Sequence, residues 1–414
     1  MSERINICFI GCGKFVRNFI PLFKAHPFVE SVAVCDILKD RADAYGAEFG
    51  VSRVFYDFNE VLKDKKINAV GIFTQRQLHA PLTIAALKAD KNVYSAVPTG
   101  LTVEEIQEIE QLVREKRLIF SSGETGAYRA CSVFCRSKIL SGEMRNFVYG
   151  EAQYNHDMRH FYDSYKHSGG PDWKKVAGFP PMLYPTHSTS MILSCLPGVY
   201  AKKVAAFGYR ERQDLDIFGE NGQNYWNNPY SNTSALLQLS NGGIARISEN
   251  RRIGWHAPQS YISNFHTETA SYEFSVMHHY YSTWDKTDPK KIILTEVSDL
   301  LNPPELQARI NDPTMVQEVG QGFGFVMTSP IQPQERIPKE LDGLRNGHNG
   351  THKFMCDDFC RSVQTGKLSP TNIWQAARFN IPGIIAHQSA MRDGETMTVP
   401  DLGNPPADWE VLPY

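Results

Sequence analysis

The segment PPMLYPTHSTSM, residues 180–191, sets a phenol and an imidazole three positions apart around a proline. Tyr184 and His187 are the pair with the clearest chemistry. Imidazole titrates near neutral pH and takes a proton from a hydroxyl readily. A secondary alcohol that loses hydride needs such a base. The residue types alone allow two readings. Either a rigid loop presents both side chains to a substrate, or a turn encloses a core histidine bonded to Thr186 or Ser188. Other imidazoles recur in His156-Asp157-x-x-His160, His348-x-x-x-His352 and the adjacent His278-His279. Zinc would need three or four convergent ligands, and no thiolate pattern accompanies these, so no metal is expected. Tyr154 and His156 alternate onto one face of an expected strand, NFVYGEAQYNHDM. WNNPYSNT (226–233) offers Trp226 and several amides, side chains that stack on and bond to a sugar ring, or make a surface turn.

These residues need elements to hold them. INICFI (5–10) is a short apolar run ending in glycines, as in a buried parallel strand. A helical pattern follows with Pro21 inside it, so that helix should bend or begin irregularly. ESVAVCD, NAVGIFT and NVYSAV continue the strands, with helical segments between them, and LIFSSGE closes the series. Strict alternation means a doubly wound parallel sheet. From residue 147 the strands are longer: NFVYGEAQY, KKVAAFGYRE, SALLQLSNGGIARIS, TASYEFSVM. They predict a large open, mostly antiparallel sheet, with helices at its start and near 350–365 and 373–390. The expected fold class is therefore α/β, with a Rossmann domain over 1–125 and a second α/β domain over 126–414 for substrate binding and oligomerisation. Residues 283–346, rich in Pro, Asp and Gly, read as long loops.

Composition narrows the partners. A chain of 414 residues defaults to two domains. Its 43 basic residues are balanced by 45 acidic ones, which leaves no surplus for nucleic acid or a membrane surface. No apolar run approaches the ~18 residues of a membrane span. The start of the chain lacks the order of a signal peptide, and its 8 cysteines form no CxxC pair. They read as reduced, packed thiols in a cytoplasmic protein.

Gly11-Cys12-Gly13 follows the first strand, Lys14 and Phe15 open the helix, and Asp36 ends the second strand. The first glycine makes a tight turn and the second lets backbone approach a pyrophosphate at a helix N-terminus. The carboxylate accepts from ribose hydroxyls and repels a 2′-phosphate, which favours NAD over NADP. Val16 replaces the usual third glycine, at some cost to helix–strand closeness.

With these motifs the chain resembles the Gfo/Idh/MocA oxidoreductases, the glucose–fructose oxidoreductase and inositol dehydrogenase family. Thr74-Gln75-Arg76-Gln77-Leu78-His79-Ala80-Pro81 is similar to that family's T-P-x-x-x-H-x-P segment. Pro98 falls on its Glu-Lys-Pro motif. The resemblance implies a Rossmann domain, NAD or NADP, a sugar, polyol or glycoside substrate, cofactor contacts from Thr74, His79 and Pro98, and a dimer or tetramer. It also puts His187 on the family's catalytic histidine and Arg129 near the domain junction, against substrate or nicotinamide. Two departures stand out: Val97 replaces the family lysine, and Leu183 its aspartate. Tyr-Pro-Thr-His with Val-Pro, and Gly347-His348, resemble the NAD-dependent α-N-acetylgalactosaminidase branch. That resemblance implies a second scheme, a glycoside hydrolase working by transient C3 oxidation, elimination, hydration and re-reduction. Tyr184 would be a second base and His348 would assist the leaving group. The primary expectation is hydride transfer from a secondary hydroxyl to NAD. A nucleotide-binding pseudoenzyme is a third reading, motivated by the missing lysine and aspartate.

Overall fold

The computed structural model of the chain describes residues 4–218, 224–254, 261–275, 277–288, 290–308 and 326–414, without the side chains of His160 and Ser168. Six short strands come first: β1 (Ile5–Ile10), β2 (Val29–Cys35), β3 (Arg53–Phe55), β4 (Ala69–Ile72), β5 (Asn92–Ser95) and β6 (Phe120–Ser122). All pair in parallel, in the order β3-β2-β1-β4-β5-β6. β1 and β4 are buried on both faces, as continuous apolar runs in a helix-covered sheet must be. Pro21 sits in the first turn of Ile20–Ala25, preceded by a separate 3₁₀ turn at Val16–Asn18. Its missing N–H costs nothing there, so the helix begins late instead of kinking. The helix Val103–Lys116 starts on a capping box between Thr102 and Glu105 and buries Ile106, Ile109, Leu112 and Val113.

The turn after β1 depends on Gly11, whose φ is +94°. A Cβ there would lie 2.8 Å from the carbonyl oxygen of Phe73. Backbone cannot yield as a flexible side chain would. Gly11→Ala is therefore expected to destabilise the protein by ~1–3 kcal/mol and to weaken NAD binding, read by thermal unfolding and cofactor titration.

The second sheet has nine strands: β7 (Phe147–Asn155), β8 (Ala201–Arg210), β9 (Tyr230–Leu239), β10 (Ile244–Asn250), β11 (Tyr261–Thr267), β12 (Ala270–Ser275), β13 (His278–Trp284), β14 (Ile292–Glu296) and β15 (Met397–Thr398). Their order is β14-β13-β12-β11-β7-β10-β9-β8-β15. Only β7 and β10 run parallel; the other pairs are antiparallel. Strict alternation of burial along β9 shows one covered and one open face. The helices Thr186–Leu193 and Ile373–Ala390 pack on the covered face, and the second of these also reaches Val103–Lys116 and β6. The two sheets are thus bound through one long helix. The expectation of loops over 283–346 missed β14 and the short helices Ser298–Leu301 and Pro304–Gln307. β14 is exposed along its whole length, so burial imposes no period on its sequence. Residues 309–325 of that stretch lie outside the described residues.

Candidate active site

Residues from the ends of the parallel strands build a cradle whose chemistry fits a dinucleotide. At Gly13 a Cβ would meet nothing within 4 Å, so this backbone faces open space beside the helix start. Asp36 is buried and receives the N–H groups of Cys12 and Leu38, each at 2.8 Å. Each oxygen keeps a lone pair for a ribose hydroxyl. Arg41 stands 3.9 Å from the same carboxylate. It also reaches His167 across the cleft, at 3.0 Å. Asp36→Ala is expected to raise the KM for NAD ~10–100-fold and to move preference toward NADP, because Arg41 then faces a 2′-phosphate unopposed. Initial rates with both cofactors check this.

The other expected cofactor residues separate. Lys14 is exposed, and Phe15 packs edge-on against Phe19 and His348. Thr74 lies against the Gly11 turn. His79 is 2% exposed, with its ring nitrogens 3.0 Å from the Pro98 carbonyl and 3.1 Å from that of Thr74. Burial pushes its pKa down to about 4, so the ring is neutral and donates to one of the two. His79 therefore braces the loop under the cradle, and Pro98 takes part through its carbonyl.

His187 lies in the first turn of Thr186–Leu193, buried. Its Nδ1 is 2.8 Å from Oε1 of Glu124, a residue on the loop leaving β6. Gly126 N–H and the Ser190 hydroxyl donate to the same oxygen, at 2.5 and 3.2 Å. Burial alone would raise the Glu124 pKa, but His187, Thr186 and Gly126 together hold it below the usual carboxylate range. An ionised carboxylate only accepts, so Nδ1 carries the proton and Nε2 offers a lone pair. Among the described residues Nε2 has no hydrogen-bond partner.

Three tyrosines wall this imidazole, all edge-to-face. The ring centroids of Tyr154, Tyr184 and Tyr261 lie 5.0, 5.0 and 5.6 Å from that of His187. Arg76 covers Tyr184 and Phe179 at 4.8 and 5.0 Å, and Phe179 meets Trp226 at 4.8 Å. Trp226 thus extends the aromatic wall but stands beyond Phe179, away from the imidazole. Burial drives the Tyr184 phenol well above its ordinary pKa, although Arg76 and Arg251 pull it back. At neutral pH Tyr184 therefore carries its proton and is a hydrogen-bond donor, and the expected role as second base would require that proton to be drawn off first. The Tyr154 hydroxyl binds Nδ1 of His156, so those two act as one unit.

His348 does not sit in a helix with His352, as its spacing suggests. His348 and Asn349 are both left-handed, at φ 51° and 57°. His348 Nδ1 lies 2.7 Å from His352 Nε2. Burial lowers the His348 pKa far below its ordinary value, and His352, Arg129, His187 and His156 lower it further. That set of neighbours brings His348, His187, His156 and Arg129 to one site. The tempting pair His278-His279 is split. His278 meets Glu296 outside, while His279 is buried against Tyr272 and Asn302. Among the described residues no group of three or more His, Cys, Asp or Glu is arranged to hold a metal.

Sequence reasoning passed over Glu124, Arg76, Tyr261 and the buried pair Glu249–Arg251, 2.9 Å apart. Glu124 carried one usable signal. It follows the last strand of a doubly wound sheet, at the end where ligands bind. Glu249 accepts from Ser188 at 2.6 Å, and Arg251 spans Tyr154 and Tyr184. Burial pushes the Glu249 pKa up to about 8, against the pull of Arg251 and Ser188. A folded value above the unfolded one gives stability that is full below ordinary carboxylate pH and lost as pH rises toward 8. Melting temperature should therefore decline between pH ~5 and 8, and Glu249→Gln should flatten that decline by several degrees while lowering stability throughout.

Comparisons agree with this geometry. Residues 5–124 match the oxidoreductase family with an NAD-binding Rossmann fold, Gfo/Idh/MocA. A glycosyl hydrolase family 109 protein of Saccharopolyspora erythraea is 21% identical over 97% of this chain and 83% of its own. The scyllo-inositol 2-dehydrogenase (NAD(+)) of Bacillus subtilis is 26% identical over 41% of this chain and 50% of its own. A levoglucosan dehydrogenase solved with NADH superposes with a TM-score of 0.73 at 15% identity, over 97% of this chain and 100% of that one. Over its first sheet, and in the cradle that sheet builds, the chain is similar to the Gfo/Idh/MocA oxidoreductases with their NAD-binding Rossmann fold.

Proposed function

We propose that the protein oxidises a secondary hydroxyl of a sugar, polyol or glycoside. The observation that carries this is the buried Glu124–His187 pair, which leaves one imidazole nitrogen open to the site. NAD, when bound, supplies the hydride acceptor. Gly11, Gly13 and Asp36 hold it. His187 Nε2 takes the hydroxyl proton while Glu124 fixes the ring and stabilises the imidazolium that forms. Tyr184 and the Tyr154–His156 pair donate to neighbouring hydroxyls. Arg129 and Trp226 lie further out on the same walls.

A second reading is net glycoside hydrolysis. It is favoured by buried Val97 and Leu183 where the family carries lysine and aspartate, and by the full-length resemblance to glycosyl hydrolase family 109 proteins. In that reading Tyr184, once relieved of its proton, is the second base and His348 assists the leaving group. The test follows NADH absorbance and aglycon release together, with NAD and a panel of chromogenic glycosides, free sugars and polyols. Lasting NADH without aglycon release, lost in His187→Ala, supports the dehydrogenase. Aglycon release without lasting NADH, equally lost, supports the hydrolase. Neither signal would sink both and leave a nucleotide-binding pseudoenzyme.

Two further features belong to this reading. The open face of the second sheet exposes Phe207, Leu236, Ile244 and Trp284, which supports a homo-oligomer, a dimer or tetramer. All 8 cysteines are free and buried, in keeping with a cytoplasmic setting. No described helix is long and apolar enough to cross a membrane.

A further inference from the structure

Buried arginines of this chain are answered by acids. Arg251 meets Glu249 at 2.9 Å, Arg252 meets Asp214 at 2.7 Å and Arg378 meets Asp401 at 2.8 Å. Arg136, the exception near the site, gives its guanidinium to the Ala127 carbonyl at 3.0 Å. Arg129 differs from all of them. It is 5% exposed, and among the described residues no carboxylate pairs with it. Its Nε is buried without an acceptor. The guanidinium lies flat over the Tyr261 ring, 3.3 Å from the centroid. Stacking satisfies its face, a hydrogen bond to the Tyr261 hydroxyl engages part of its edge, and Nε is left over. Arg129 also caps the N-terminus of the helix Ala130–Leu140, where the helix dipole is itself positive. A desolvated cation at that end is doubly unfavourable until an anion arrives.

The position ties this cation to the reaction. Tyr261 stacks on Tyr154 at 4.6 Å and meets the His187 ring edge-on. Arg129 is thus one aromatic ring away from the base, and close enough to His348 to disfavour its protonation. Across the imidazole, Arg76 covers Tyr184 and donates to the Tyr165 hydroxyl, at 3.3 Å, and among the described residues no acid pairs with it. The acids that do line the site are committed: Glu124 to His187, Glu249 to Arg251. The pocket therefore carries surplus positive charge that a neutral sugar would leave uncompensated.

We propose that the substrate is a sugar acid or its glycoside, and that its carboxylate pairs with the edge of Arg129. A planar carboxylate matches one guanidinium edge with two parallel hydrogen bonds. A phosphate dianion would call for more donors than this one buried edge offers. The inference rests on the carbohydrate oxidoreductase reading and sharpens its substrate class.

The test compares D-glucuronate and D-galacturonate with D-glucose and D-galactose, in the presence of NAD, for wild type and Arg129→Met. Wild type should favour the acids in kcat/KM by about a hundred-fold or more. Arg129→Met should bring that ratio near one, chiefly by raising KM for the acids, with neutral sugars changed only a few-fold. Arg129→Lys, which keeps the charge and loses the fork, should fall between and covers the case in which the methionine variant does not fold. If none of the four compounds is oxidised, titration calorimetry on the NADH-loaded protein decides the matter. Glucuronate binding that is lost in Arg129→Met supports the proposal, and equal binding of glucose and glucuronate overturns it. A preference for glucose 6-phosphate over glucuronate would also overturn it. So would a weakened NAD affinity in Arg129→Met with an unchanged acid-to-neutral ratio, since Arg129 would then serve the cofactor. Loss of NADH formation with every sugar and polyol, acids included, would instead count against the oxidoreductase reading itself.

Discussion

His187→Asn protein will bind NAD as tightly as wild type and turn over its substrate ~10²–10⁴-fold more slowly. The loss follows from what asparagine lacks. Its amide occupies part of the imidazole volume but cannot accept a proton at the point where Nε2 now presents a lone pair. The effect should fall almost wholly on kcat, because the three tyrosines that wall the imidazole, and Arg129 stacked on one of them, remain. Cofactor affinity should not move, because the cradle at Gly11, Gly13 and Asp36 lies on the other sheet. Single-turnover kinetics with preloaded NAD isolates the chemical step. A variant whose kcat stays within about 5-fold of wild type would remove His187 from its role as base.

Glu124→Gln will be nearly as damaging, about 10²–10³-fold in kcat, though glutamine is almost the same shape. The amide can turn its NH2 group toward Nδ1. The imidazole then holds its proton on Nε2, the nitrogen that must be empty. Glu124→Asp keeps the charge on a shorter arm and should recover part of the rate, which a purely structural role would not predict. A second measurement separates charge from shape. The Glu124 carboxyl is held below the ordinary range, so its contribution to stability is present above that range and disappears as pH falls through the lowered native value. Below pH ~5 the wild-type melting temperature should therefore drop more steeply than that of the glutamine variant.

Much of this site could be read before the structure, because its parts are local. The glycine turn, Asp36 and the alternation of strand and helix depend on neighbours a few residues away. His187 was legible for the same reason, since its proline-rich approach and helix start are written in one short segment. Glu124 was not. Its meaning comes from a contact with a residue 63 positions away, and its one local signal, a place just after the last strand, is one that any acid of that loop would share. The reading that Leu183 leaves the histidine without a carboxylate assumed the carboxylate had to come from the same turn. Tyr184 could be named from its segment but not its acidity, because a phenol's pKa is set by burial that no sequence pattern displays. His348 looked helical by spacing, and its left-handed backbone breaks that helix while the ring still reaches Phe15 and His352.

The Glu124–His187 pair is divided between the two sheets: Glu124 follows the last strand of the parallel sheet, and His187 rides on a helix packed against the other. Such a division makes the chemistry a property of assembly. Neither unit expressed alone would own a primed imidazole, so neither could oxidise a stray alcohol before the whole had closed. It also sets a rule for recombination. The second sheet can be exchanged for that of a relative to change what is recognised, provided the donor's histidine lands opposite an acid at 124. A graft that ignores this seam would give a well-folded protein whose imidazole has no acid to fix its tautomer.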